Sequence, residues 1–214
     1  MVHNLSKGNS ILNQFISEIR DETVQGDRMR FRRNMERIGE VMAYEISKTL
    51  DYEKREITSP LGGAEASVPK DHPVLATILR AGLPMHQGFL NYFDKADNCF
   101  ISAYRRYHKG GDFEIEIEYM SGPNIDDKTL IIADPMLATG SSMVLVYKNI
   151  LQKGNPKHIH IATAIASVQG INYVKSKLPE NVTIWAGAID DELTAQAYIV
   201  PGLGDAGDLA FGEK

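Results

Sequence analysis

The spacing of apolar positions changes along the chain, and each period predicts an element. In "RRNMERIGEVMAYEISKTL" (32–50), Met35, Ile38, Met42, Ile46 and Leu50 recur at spacings of three and four, one apolar stripe of a helix packed on a core. "TSPLGGAEASVPKDHP" (58–73) gathers Gly, Pro and Ser and predicts a connecting segment. Short β-type runs follow at 73–79, 98–104, 128–133, 158–166 and 181–188, with helix-length stretches between several of them at 83–93, 141–153 and 169–178. Strand-helix-strand alternation of this kind predicts an α/β fold, a mostly parallel doubly wound sheet covered on both faces.

One segment departs from that pattern. In "DFEIEIEYM" (112–120), Phe113, Ile115, Ile117 and Tyr119 alternate with Glu114, Glu116 and Glu118, the period of a strand with one wet face. Gly110, Gly111 and Asp112 just before it can turn a hairpin, so a protruding antiparallel hairpin is expected, with Arg105 and Arg106 on its first arm.

Composition sets the bounds. With 214 residues, 43% of them hydrophobic, the chain can bury one sizeable core, and a single domain over 1–214 is expected. The net charge of -5 is spread over scattered residues of both signs, which argues against nucleic acid as a partner. Cys99, the single cysteine, lies in the apolar-leaning run "NCFISAY" and suits a buried thiol better than a nucleophile. No basic-then-apolar leader opens the chain and no run approaches the roughly 20 apolar residues of a membrane span, so a cytoplasmic protein with no membrane partner is expected. His3, His72, His86, His108, His158 and His160 form no recognised metal-ligand pattern and are assigned to surface or packing.

The candidate chemistry sits in "IIADPMLATGSS" (131–142). An apolar strand ends at Asp134, and Pro135, Met136, Leu137, Ala138, Thr139, Gly140, Ser141 and Ser142 lead into the next helix. In open parallel sheets ligands gather at such strand ends, where unpaired N–H groups and the positive end of a helix dipole favour an anion. Gly140 permits close backbone approach, and Thr139, Ser141 and Ser142 add hydroxyl donors, a composition suited to a phosphate monoester. A carboxylate beside a phosphate repels it, so Asp134 suits a vicinal diol; together these point to a ribose 5-phosphate. An ordinary β-α loop, with Ser141 or Ser142 only capping the helix, fits the same residues. The loop matches neither the Walker nor the dinucleotide glycine pattern.

This stretch resembles the phosphoribosyl pyrophosphate motif of type I phosphoribosyltransferases, in the Asp-Pro variant of the uracil phosphoribosyltransferases. "ILRAGLPMHQGFL" (78–90) and "AYIVPGLGDAGDLAFG" (197–212) resemble that family too, and the three occur in its order. The resemblance implies transfer of a phosphoribosyl group to uracil, giving UMP and pyrophosphate, with Mg²⁺ carried by the donor. It assigns Arg80 and Arg105 to the pyrophosphate, with Arg106 a neighbour able to share that role, and residues 105–119 to a lid. It places Ile199, Gly204 and Ala206 on the base, largely through main-chain groups, and gives Asp205 a part in placing the donor and its Mg²⁺. Tyr198 packs beside the base or belongs to the core. Residues 190–214 then form the base-binding segment and 1–30 an N-terminal arm. A homodimer or larger homo-oligomer and a GTP effector also come with the resemblance.

Uracil presents acceptor, donor, acceptor along one edge, which a rigid backbone offering N–H, C=O, N–H can match and cytosine cannot. Gly202, Gly204, Gly207 and Gly212 with Pro201 argue against a helix in this stretch, while Ile199, Val200 and Leu203 argue against a disordered tail. Two departures from the family pattern stand out. "LTAQA" (193–197) replaces Leu-Asn-Glu-x-Gly, and Ser141 replaces the usual Gly. A transferase for another base, or a regulatory protein that keeps a nucleotide site without turnover, remain the rival readings.

Overall fold

The structure is a computed structural model that describes residues 1–107 and 113–213, without the side chains of 104–107 and 113–116. Twelve strands, β1 (Val2–Asn4), β2 (Tyr52–Ser59), β3 (Gly62–Pro69), β4 (Val74–Leu79), β5 (Asp97–Tyr107), β6 (Phe113–Ser121), β7 (Thr129–Ala133), β8 (Met136–Leu137), β9 (His158–Ser167), β10 (Val182–Asp190), β11 (Glu192–Leu193) and β12 (Ile199–Val200), are assigned among them. Six helices join them: α1 (Ile11–Arg20), α2 (Arg28–Ser47), α3 (Leu83–Leu90), α4 (Ser141–Ile150), α5 (Val168–Lys177) and α6 (Ala206–Phe211). The main sheet runs β1-β10-β9-β7-β4-β5-β6, with β8 also on β9. Every pairing in it is parallel except β5 with β6.

The five predicted strands are all in the sheet, and four of them, β4, β7, β9 and β10, are buried on both faces and so legible as apolar runs. Alternate residues serve two cores. Leu75 of β4 packs with Met35, Ile38, Met85 and Phe89 of α2 and α3, whereas Val74 and Ala76 pack with Met143, Val146, Ile171 and Val174 of α4 and α5. The chain winds from β4 to β5 in one direction and returns to β7 on the other side of β4. The carboxyl ends of β4 and β7 therefore form the switch point where an open sheet parts to admit a ligand.

Several expectations need correction. Residues 58–73 are no plain connection: β2 and β3 pair antiparallel as a hairpin from Tyr52↔Pro69 to Ser59↔Gly62. Nearly all its residues are exposed, so neither face carries the apolar alternation that marks a half-buried strand. Residues 1–30 are no loose arm, since β1 extends the sheet on β10 and α1 buries Leu12, Ile16 and Ile19. The glycine-bearing tail does contain a helix, α6, with Gly207 inside it; Asp205 caps its first turn by accepting from the Gly207 and Asp208 N–H groups at 2.8 and 3.0 Å.

The antiparallel arm expected at 112–120 is β6, but its strict alternation breaks. Ser102 pairs with Tyr119 and Ala103 with Ile117, leaving Glu118 as an extra residue that shifts the register. Ile117 and Met120 consequently face the core while Tyr119 is exposed. The turn at Gly110, Gly111 and Asp112 lies outside the described residues. No helix among the described residues is long and apolar enough to cross a membrane.

Candidate active site

A cavity of about 770 Å³ opens at the switch point, a size that suits a nucleotide-sized ligand. It is built by four segments: the end of β4 with Arg80 and Ala81, the loop after β7, Ser102 and Ala103 of β5, and residues between Ala197 and Gly207 beyond β10. The first two are tied together below the cavity, where the Thr77 hydroxyl donates to the Ala133 carbonyl at 3.3 Å. Gly82 packs over that bond so closely that a Cβ would come within 2.2 Å of Thr77 Oγ1 and 2.9 Å of the Ala133 carbonyl. A side chain there would pry the two strand ends apart.

In the loop after β7, Asp134, Met136, Leu137, Ala138, Thr139, Gly140 and Ser142 line the cavity, whereas Pro135 and Ser141 do not. Gly140 is the N-cap of α4, held at φ 80° with no side chain capping the helix, so neither Ser141 nor Ser142 serves as an ordinary cap. The Thr139 hydroxyl donates to Ser141 Oγ at 3.2 Å, drawing the Ser141 side chain to Thr139 and accommodating the extra Cβ that sets this loop apart. The uncapped first turn meets the cavity at Ser142 and Met143, the arrangement that receives an anion.

Bracing for this loop comes from residues the sequence analysis passed over. Ser167 Oγ donates to the Ala138 carbonyl at 2.6 Å and accepts from the Gly170 N–H at 2.8 Å. A Cβ on Gly170 would sit 2.2 Å from the Ala138 carbonyl. The available signal was a serine at the end of an apolar strand, the common N-cap position.

Asp134 lies on the cavity wall, only partly exposed in surface terms but set deep among protein atoms. Burial pushes its pKa up to about 7, against the opposing hydrogen bond from the Met136 N–H. Such a carboxyl is poised to gain from hydroxyl donors supplied by a ligand.

Arg80 reaches across to the tail. Its Nη2 donates to Asp208 Oδ1 at 2.9 Å and to the Gly212 carbonyl at 2.7 Å, while Nε and Nη1 have no partner among the described residues. Asp208 is thus the brace for Arg80. Asp205 lines the cavity but uses Oδ1 to cap α6. Ile199 is buried and Tyr198 exposed, both on the cavity wall beside Gly204 and Ala206, which takes Tyr198 out of the core. Ala197 adopts φ 64°, the left-handed conformation, at the position where the resemblance expects Gly. The Arg105 and Arg106 side chains lie outside the described residues.

The remaining candidates stay in packing roles. Trp185 Nε1 donates to His160 Nδ1 at 3.0 Å, and burial lowers the His160 pKa to about 3, keeping it neutral. Burial likewise pushes the Cys99 thiol up and the His86 imidazole down.

The strand order and the switch-point cavity define an open α/β fold with a ligand site at the carboxyl ends of its strands. That fold is shared with a hypoxanthine phosphoribosyltransferase from Staphylococcus aureus, with a TM-score of 0.50 at 16% identity over 74% of each chain. The AQ2163 protein from Aquifex aeolicus matches with a TM-score of 0.88 and 27% identity over 99% of this chain and 98% of that one. A family model described as uracil phosphoribosyltransferase matches residues 7–213. A uracil phosphoribosyltransferase of Porphyromonas gingivalis is 62% identical over 213 residues, covering 100% of this chain and 99% of that protein. One from Pyrococcus furiosus is 40% identical over 203 residues, covering 94% and 85%. The chain belongs to the uracil phosphoribosyltransferase family.

Proposed function

We propose that this chain transfers the 5-phosphoribosyl group of 5-phosphoribosyl 1-pyrophosphate to uracil, giving UMP and pyrophosphate. The bond from ribose C1 to the pyrophosphate oxygen breaks, a bond from C1 to uracil N1 forms, and the N1 proton leaves to solvent. The observation that carries the reading is the convergence on one cavity of an uncapped helix start, a desolvated carboxylate and a glycine-bearing backbone loop. The first suits the 5-phosphate, the second the ribose hydroxyls, and the third the polar edge of a base.

Arg80 holds the leaving pyrophosphate through its unpartnered Nε and Nη1, with Asp208 fixing the guanidinium plane. Arg105 joins it from β5 as the hairpin closes over the site, which excludes water. Ile199, Gly204 and Ala206 present the base to C1, so much of the rate comes from alignment rather than from a covalent nucleophile.

Mg²⁺ fits this site as an ion brought by the donor. No group of three His, Cys, Asp or Glu residues able to hold a metal occurs among the described residues, and the donor's phosphate oxygens together with water would supply most of its ligands. Asp205 would hold it through Oδ2, which the helix cap leaves free, and its chemistry is charge neutralisation on the leaving group. A homodimer or larger assembly, a GTP effector and cytoplasmic residence rest on the resemblance alone; sedimentation and an assay with and without GTP test the first two.

The decisive experiment measures pyrophosphate release with Mg²⁺ and the phosphoribosyl donor, comparing uracil, cytosine, orotate, hypoxanthine and no base. Release confined to uracil is expected; release with another base, or none at all, overturns the reading.

A further inference from the structure

Arg20 lies outside every segment assigned to substrate and Asp190 is the first residue of the expected base-binding segment, yet neither lines the cavity; they form an ion pair withdrawn from solvent, with side-chain exposures of 20% and 7%. Arg20 ends α1 and Asp190 ends β10. Two parallel bonds of 2.8 Å join them, Nη1 to Oδ2 and Nη2 to Oδ1. The pair does more than neutralise itself: Nη1 also donates to the Gly202 carbonyl at 3.1 Å, and the Gly202 N–H donates to Asp190 Oδ2 at 3.0 Å. Both backbone polar groups of Gly202 are therefore consumed by one fork.

Gly202 cannot be held there by any other residue type. Its φ is 57°, and a Cβ would lie 2.1 Å from the Ile199 carbonyl. It sits between Ile199 and Gly204, both on the cavity wall. On the near side, the loop is closed by β11 pairing with β12 and by the Thr194 N–H donating to the Tyr198 carbonyl at 2.8 Å. On the far side the Asp205 cap begins α6. The anchorage of α1 is itself firm. Glu18 accepts from Arg30 of α2 at 2.8 Å and from Asn34 at 2.7 Å, and the Gln25 side chain donates to the Arg20 carbonyl at 3.0 Å.

We infer that Arg20 and Asp190 are positioning residues for base recognition, holding the 199–204 backbone at the height from which it meets uracil. The inference rests on the uracil reading above and extends it to the N-terminal helix α1, which does not line the cavity. The 5-phosphate loop after β7 makes no bond to this fork, so the two halves of the ligand should respond separately.

Calorimetric binding of UMP and of ribose 5-phosphate separates them, using Arg20→Ala and the milder Arg20→Lys, which keeps the charge but loses the planar fork. The UMP dissociation constant should rise about tenfold or more while that of ribose 5-phosphate changes by less than about twofold, since small misplacements of a recognition surface have effects of that order. In turnover, KM for uracil should rise and KM for the phosphoribosyl donor should not. Arg20→Lys is read by the same criterion if Arg20→Ala does not fold. Equal weakening of both ligands, or no weakening of UMP, overturns the inference. Wild-type protein that binds ribose 5-phosphate but not UMP overturns the uracil reading itself, and this inference with it.

Discussion

Asp134→Asn removes a charge that the folded chain holds unfavourably. Burial takes the carboxyl from its ordinary 3.8 to about 7, so at about 1.4 kcal/mol per pH unit the ionised form destabilises the fold by up to about 4 kcal/mol. The sign follows from proton linkage. Between pH 3.8 and about 7 the folded state keeps a proton that the unfolded chain has lost, so this group's contribution to stability declines as the pH rises through that window. Asn keeps the shape and can still accept from the Met136 N–H, but it does not titrate. Urea unfolding followed through Trp185, the single tryptophan, gives both proteins' stabilities from acid to mildly alkaline pH. The variant-minus-wild-type difference should climb across the window and level off above it, with the variant the more stable there by up to about 4 kcal/mol. A difference that stays flat from pH 4 to 8 refutes the claim that the folded protein holds this carboxyl protonated.

Arg80→Ala should cut turnover far more than it lowers the melting temperature, because the guanidinium and its carboxylate partner Asp208 are both partly exposed; near wild-type kcat removes Arg80 from the mechanism. Gly140→Ala places a Cβ at φ 80° and 2.9 Å from the Gly170 carbonyl, costing about 2 kcal/mol or a fall of about 4–8 °C in Tm, together with lost affinity for ribose 5-phosphate in calorimetry. Ala197→Gly relieves the left-handed backbone at φ 64° and should raise stability by up to about 1 kcal/mol in the same urea assay; a loss of stability would show that Ala197 is not strained.

The strands β4, β7, β9 and β10 were legible because each is buried on both faces, and burial on both faces leaves a largely apolar run. The stripe through Met35, Ile38, Met42 and Ile46 was legible for the corresponding reason in a helix, although α2 begins at Arg28 and ends before Leu50. The β2–β3 hairpin escaped because it packs on neither core and so has no apolar face to announce it. α6 escaped because its existence depends on an aspartate cap and on contacts with α2, against the propensity of Gly207. At the site, residue types pointed to the loop after β7 and the resemblance to Arg80, and the structure brings both to one cavity. The Asp208 brace, the Ser167 support and the Gly202 grip could not be read, since each joins residues far apart in the chain.

The pairing of β4 with β7 reaches beyond holding a cavity open. Because the arginine turn and the carboxylate loop grow from hydrogen-bonded neighbours, their separation is a lattice constant of the sheet, about 4.8 Å per strand, and cannot drift without unzipping the ladder. The segment proposed to meet the base leaves from β10, two strands beyond β7, and is tied to the sheet by no ladder of its own but by the Arg20–Asp190 fork on Gly202. Divergence in base preference can thus be written into that segment and the fork that holds it, while the spacing set by β4 and β7 stays fixed by the ruler beneath it.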